Sequence, residues 1–133
     1  MSPICGSTPW SNGRSARTSC AGHKYQMAEA KVSLYYTTFP DQTSAEDICR
    51  KLVQERLIAC ANIFPPMVSL YWWSEKIEKK AEVAAILKTR QGFFKKLLER
   101  YESLHPYTTP CLVEIAVAQI NPSYREWLIS EVR

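Results

Sequence analysis

The stretch whose reading decides the fold runs from Ala59 to Arg90. It begins Ala59-Cys60-Ala61-Asn62-Ile63-Phe64-Pro65-Pro66, continues Val68-Ser69-Leu70-Tyr71-Trp72-Trp73-Ser74-Glu75-Lys76-Ile77, and closes Glu82-Val83-Ala84-Ala85-Ile86-Leu87-Lys88-Thr89-Arg90. Two runs rich in aromatic and branched side chains flank the charged segment Ser74–Lys80, the pattern of a long β-hairpin. Pro65 and Pro66 cannot donate ladder hydrogen bonds, so they predict a break between a short strand at Cys60–Phe64 and a second at Val68–Trp73. Both arms exceed the usual five or six residues. A small domain cannot cover such a ribbon alone, which is the first sign that other copies of the chain complete it.

Upstream, Val32-Ser33-Leu34-Tyr35-Tyr36-Thr37-Thr38-Phe39 is β-prone throughout and stops at Pro40-Asp41, which predicts a buried strand. Thr43-Ser44-Ala45-Glu46 fits a capping box, with Thr43 as N-cap and Glu46 reaching back. Ala45, Ile48, Cys49, Leu52, Val53 and Arg56 then recur at helical spacing, with Arg50, Lys51, Gln54 and Glu55 on the polar side. The segment reads as an amphipathic helix.

Downstream, Phe93, Phe94, Leu97, Leu98, Tyr101 and Leu104 form the apolar stripe of a second helix, ended by His105-Pro106, because proline disfavours helical geometry in the residue before it. Pro110 opens a strand over Cys111–Ile120, with Cys111, Val113, Ile115 and Val117 on one face and Glu114 on the other. Asn121-Pro122 suits the cap and first turn of a last helix through Tyr124, Trp127 and Leu128. The order strand, helix, hairpin, helix, strand, helix is the α+β, ferredoxin-like βαββαβ plan with an added C-terminal helix. Only neighbours and the terminal helix are then left to cover the sheet's second face.

Residues 1–28 read as a disordered N-terminal extension or tag, and 29–133 as one domain. The first 26 residues crowd Ser, Gly, Pro and Asn without hydrophobic periodicity and carry Arg14, Arg17 and Lys24 but no acid, a composition that resists packing. A transit peptide has the same character, and Met27 could be the natural start. The whole chain of 133 residues has net charge +4, yet beyond residue 26 its 14 basic and 13 acidic residues nearly cancel. That balance speaks against a nucleic-acid face built on bulk charge. No apolar run approaches the roughly 18 residues of a membrane span, so no membrane association is expected. The five cysteines, Cys5, Cys20, Cys49, Cys60 and Cys111, are scattered and show no CxxC pair. Neither a disulfide framework nor a closed zinc site is expected, and a reducing, cytoplasmic setting is the simplest reading.

Chemistry-bearing residues are few. Asp41 and Asp47 belong to the first helix start, and Glu75, Glu78 and Glu82 surround the hairpin bend among Lys76, Lys79 and Lys80. Phosphate loops and nucleophile motifs are absent, so no enzymatic activity is expected. Tyr35, Tyr36, Tyr71, Trp72 and Trp73 place aromatics on an exposed sheet face, the surface an RRM uses for RNA. The strand Glu82–Leu87 supplies no aromatic to match, so burial against another subunit explains these rings better. One pair suggests metal binding: His105 at a helix end and Cys111 six residues on, a soft N/S set suited to copper or zinc. A helix-terminal histidine that caps and positions the turn, and a cysteine that is simply core, are the structural readings of the same pair.

Several segments together resemble the CutA divalent-cation-tolerance proteins: Arg56-Leu57-Ile58-Ala59-Cys60-Ala61-Asn62-Ile63, Ser69-Leu70-Tyr71-Trp72-Trp73, Lys76-Ile77-Glu78, Glu82-Val83, Lys88-Thr89, His105-Pro106-Tyr107 and Tyr124-Arg125-Glu126-Trp127-Leu128. The resemblance spans about Val32 to Arg133. It implies a ferredoxin-like protomer in a PII-like homotrimer, with the 59–90 hairpin extending across a neighbouring subunit and continuing its sheet. It also implies association with copper and other divalent cations, without an established reaction. A PII-like signalling or scaffold trimer, taking a small ligand or partner protein at inter-subunit clefts, is the alternative. Three positions depart from the family's pattern. Cys111 stands where a glutamate is proposed as a ligand in some members, Thr37 matches a cysteine of some first strands, and Glu75 replaces the usual hairpin glycine.

Overall fold

The computed structural model describes residues 31–133, so the expectations for the N-terminal 28 residues lie outside the described residues. Within them the order is β1 (Val32–Phe39), α1 (Gln42–Gln54), β2 (Cys60–Ile63), β3 (Met67–Trp73), β4 (Lys76–Arg90), α2 (Phe94–Leu104), β5 (Leu112–Ala116) and α3 (Pro122–Glu131). The antiparallel sheet runs β2-β4-β1-β5, with β3 paired to the far half of β4. This is the expected split plan.

β4 is the spine. Its 15 residues pair with β1 from Val83 to Arg90, with β2 from Ala85 to Lys88, and with β3 from Lys76 to Glu82. The prolines do break the first arm: β2 ends at Ile63, Phe64 N–H still donates to Ala84 O at 2.9 Å, and β3 starts at Met67. The bend is tighter than the charged run suggested. Only Ser74 and Glu75 form the turn, both at positive φ, 51° and 64°. Lys76–Lys80 belongs to the strand, because a two-residue turn with both residues left-handed matches the twist of the flanking strands.

Alternation along β1 decides the core. Tyr35 and Phe39 meet Ala45, Ile48, Leu52, Val83, Ala85, Leu87, Leu97 and Tyr101 in one cluster, with the buried Thr37 on the same face of β1. Tyr35 is therefore no exposed-face aromatic. It is fully buried, with Phe94 stacked on it at 6.0 Å. The buried Thr37 hydroxyl is bonded to the Tyr101 hydroxyl, which also donates to Cys111 O at 3.1 Å.

Two further expectations need correction. The N-cap of α1 is Asp41, not Thr43: its extended backbone lets the carboxylate accept from Ser44 N–H at 2.8 Å. That backbone donor and the Ser44 side chain hold the Asp41 carboxyl below its usual range. An ionised oxygen two residues earlier outcompetes the threonine hydroxyl for the first free N–H groups. β5 covers five residues instead of ten. Among the described residues its only ladder partner is β1, paired from Thr37↔Leu112 to Ser33↔Ala116, and β1 has one residue left, Val32, beyond that register.

α3 lies on the second face, against β4 and β1. Arg56 is bonded to the carboxylate of Glu131, and Lys88 Nζ donates to Tyr124 Oη at 3.2 Å. On that same face Val113 and Ile115 of β5 are exposed, while Leu34, Tyr36 and Ile86 are half-buried.

Candidate functional site

Where the arm leaves the sheet, the even-numbered face of β4 carries Glu78, Lys80 and Glu82, and β3 contributes Ser69 paired with Lys80, Tyr71 paired with Glu78, and Trp73 one step nearer the turn. The loop after α2 closes the other side with Pro106, Tyr107, Thr108, Thr109 and Cys111. Between them lies a cleft of about 840 Å³, within the size range of small-molecule sites.

His105 anchors this loop. It is 8 % exposed and is the C-cap of α2, packed against Phe39 at 5.2 Å and Tyr101 at 5.0 Å between ring centroids. Its Nε2 lies 2.8 Å from Thr38 O, a group that can only accept, so Nε2 carries the proton and donates. Nδ1 then accepts from Tyr107 N–H at 3.1 Å. Burial lowers the imidazole below its ordinary value, partly offset by the Thr38 bond and the Glu82 charge. Tyr107 turns its hydroxyl to donate to Glu82 Oε2 at 2.6 Å. Desolvation, then Glu82, pushes that hydroxyl well above its ordinary range. Lys80 Nζ sits 4.6 Å from the centre of the Tyr107 ring.

Cys111 lines the cleft, while His105 sits behind it and reaches it through Tyr107. Their link is Tyr101, whose ring packs on His105 and whose hydroxyl bonds the Cys111 carbonyl. Both imidazole nitrogens are engaged, and burial first, then the Glu82 charge, pushes the Cys111 thiol up, away from the thiolate a metal needs. Among the described residues no three His, Cys, Asp or Glu side chains gather as a metal cluster. As the C-cap of α2, His105 donates its backbone N–H to Tyr101 O at 3.0 Å. Tyr107, Lys80 and Glu82 were not expected at the site. Strand alternation would have put Glu78, Lys80 and Glu82 on one face had the turn been placed at Ser74-Glu75.

A hairpin-bearing ferredoxin-like sheet with such a cleft defines a PII-like protomer. The chain belongs to the CutA1 divalent ion tolerance protein family, whose profile matches residues 33–131. It is 48 % identical over 100 residues to the divalent-cation tolerance protein CutA of Pyrococcus horikoshii, covering 75 % of this chain and 97 % of that protein. It is 41 % identical to the protein of the same name in Citrobacter koseri, covering 80 % and 91 %. The crystal structure of CutA from Xylella fastidiosa superposes with a TM-score of 0.75 at 39 % identity, covering 77 % of this chain and 99 % of that one. CutA1 from Oryza sativa also gives 0.75, at 31 % identity, with 77 % and 94 % covered.

Proposed function

We propose that the chain is a non-enzymatic homotrimer of a reducing, cytoplasmic compartment that binds divalent cations, copper foremost, in the cleft at the base of its hairpin. The observation that carries this reading is the convergence of Cys111 and the Glu82 carboxylate on one cleft, with His105 directly behind it. Sulfur and carboxylate are the available donors, and copper is the divalent ion that best rewards a thiol beside an imidazole. Binding has two local costs: the Cys111 proton must leave, and His105 joins only by releasing Tyr107 N–H. Affinity should therefore rise with pH as the thiol is surrendered. Membership of a family named for divalent-cation tolerance supports the ligand class.

Calorimetric titration with Cu²⁺ and Zn²⁺, on the parent protein and on Cys111→Ala and His105→Ala, tests the reading. Loss of roughly tenfold or more in copper affinity on removing Cys111 is expected, with proton release on binding. Unchanged binding in both variants would remove this site. The PII-like alternative is favoured by the cleft's size and aromatic lining, and a trimer that ignores both metals would leave it standing.

A further inference from the structure

The lining of the cleft is richer in rings than a metal site requires. Tyr71, Trp73 and Tyr107 face it together with the carboxylates of Glu78 and Glu82, and Lys80 is the only cation on its wall. The position of Lys80 is informative. Its ammonium lies over the face of Tyr107, 4.6 Å from the ring centre, and makes no ion pair among the described residues. The same ring meets the His105 ring at 4.7 Å between centroids, tilted by 54°. Its hydroxyl bond to Glu82 fixes the ring further. An ordered aromatic face, two carboxylates and a cation already resting there describe a site for positive charge carried on carbon.

We infer that this cleft binds alkylammonium groups, from a free aliphatic amine or a lysine side chain, and that Lys80 occupies the position as an internal competitor. An incoming ammonium takes the place of the Lys80 headgroup over Tyr107, with its methylene chain along Trp73 and Tyr71 and Glu78 and Glu82 supplying the counter-charge. Lys80 is exposed and can swing into water. The site shares its cleft with the proposed metal site but not the Cys111 sulfur. Strand alternation puts Tyr71, Trp73, Glu78 and Lys80 on the face of the arm away from Val68, Trp72 and Ile77, with Leu70 at the cleft's margin.

The test is a proton–nitrogen NMR titration of the full chain with 1,5-diaminopentane and with Nα-acetyl-lysine amide, using pentanoate as the control of opposite charge. Saturable shifts at the Trp73 indole N–H and the Tyr107 amide are expected with at least one amine and not with pentanoate. The amine that binds more tightly identifies the source. Lys80→Met should tighten amine binding by about threefold or more, while Trp73→Ala should weaken it by at least as much. Because Lys80 is an exposed strand residue, its variant tests the idea even if loop variants misfold. Cys111→Ser should leave amine binding intact, whatever it does to copper. Equal shifts with pentanoate, weaker amine binding in Lys80→Met, or no response at roughly 10 mM amine would each overturn the inference.

Discussion

His105 shows how much a single buried side chain can fix. With Nε2–H on Thr38 O and Nδ1 taking Tyr107 N–H, it ties β1 to the loop that forms one wall of the cleft. Protonation would place an N–H against an N–H and break the second bond. Since burial lowers its folded-state value, the unfolded chain takes up this proton at higher pH than the folded one. The stability His105 contributes is thus complete above its unfolded value, near 6.5, and is lost as pH falls through the lowered folded value. Urea midpoints should fall as pH is lowered below about 6.5, and His105→Gln should be less stable but flatter over the same range. Equal slopes would refute this. Tyr101 is the other anchor. Tyr101→Phe leaves the Thr37 hydroxyl and the Cys111 carbonyl without their buried partner, at an expected cost of about 1–3 kcal/mol in denaturant melts. Sequence reading singled out His105 and Cys111 as candidates because residue types announce themselves. It missed the carbonyl of Thr38 and the hydroxyl of Tyr107, since hydrogen-bond partners distant in sequence depend on packing.

At the scale of elements, the strands and helices were legible from periodicity and punctuation. Val32–Phe39 was bounded by Pro40, the arm was divided at Pro65-Pro66, and the terminal helix began at Asn121-Pro122. What was not legible depended on pairing. The end of β5 is set by how much of β1 remains opposite it, and the charged residues after Glu75 are strand only because β3 lies beside them. The Ser74-Glu75 turn holds two ordinary L-residues in the left-handed region, at about 1 kcal/mol or more each. Glu75→Gly should therefore raise stability by roughly 0.5–1 kcal/mol in a thermal or urea melt, because glycine accepts this conformation without penalty. A loss of stability would mean that the Glu75 side chain contributes more than its backbone strain removes.

At the scale of the molecule, the arm is the part of the protomer that its own core leaves uncovered. Val68, Leu70, Trp72 and Ile77 form one face of the β3–β4 ribbon and are 63–71 % exposed, a contiguous apolar stripe of the kind that marks an interface. Val113 and Ile115 on the edge strand β5 are exposed as well, offering apolar surface and an open backbone edge to a neighbour. A ribbon that sequence reading found too long for its own domain thus carries the surface expected of an assembly device. The double variant Leu70→Lys, Trp72→Lys should dissociate the proposed homotrimer and lower its thermal midpoint. Each protomer would then lose both the apolar contact and the mass-action stabilisation of association. The most direct test is the solution mass of the unmodified protein by light scattering at micromolar concentration. A closed threefold assembly of 15.3 kDa chains predicts roughly 46 kDa, unchanged on dilution. A mass near that of one chain would contradict the account.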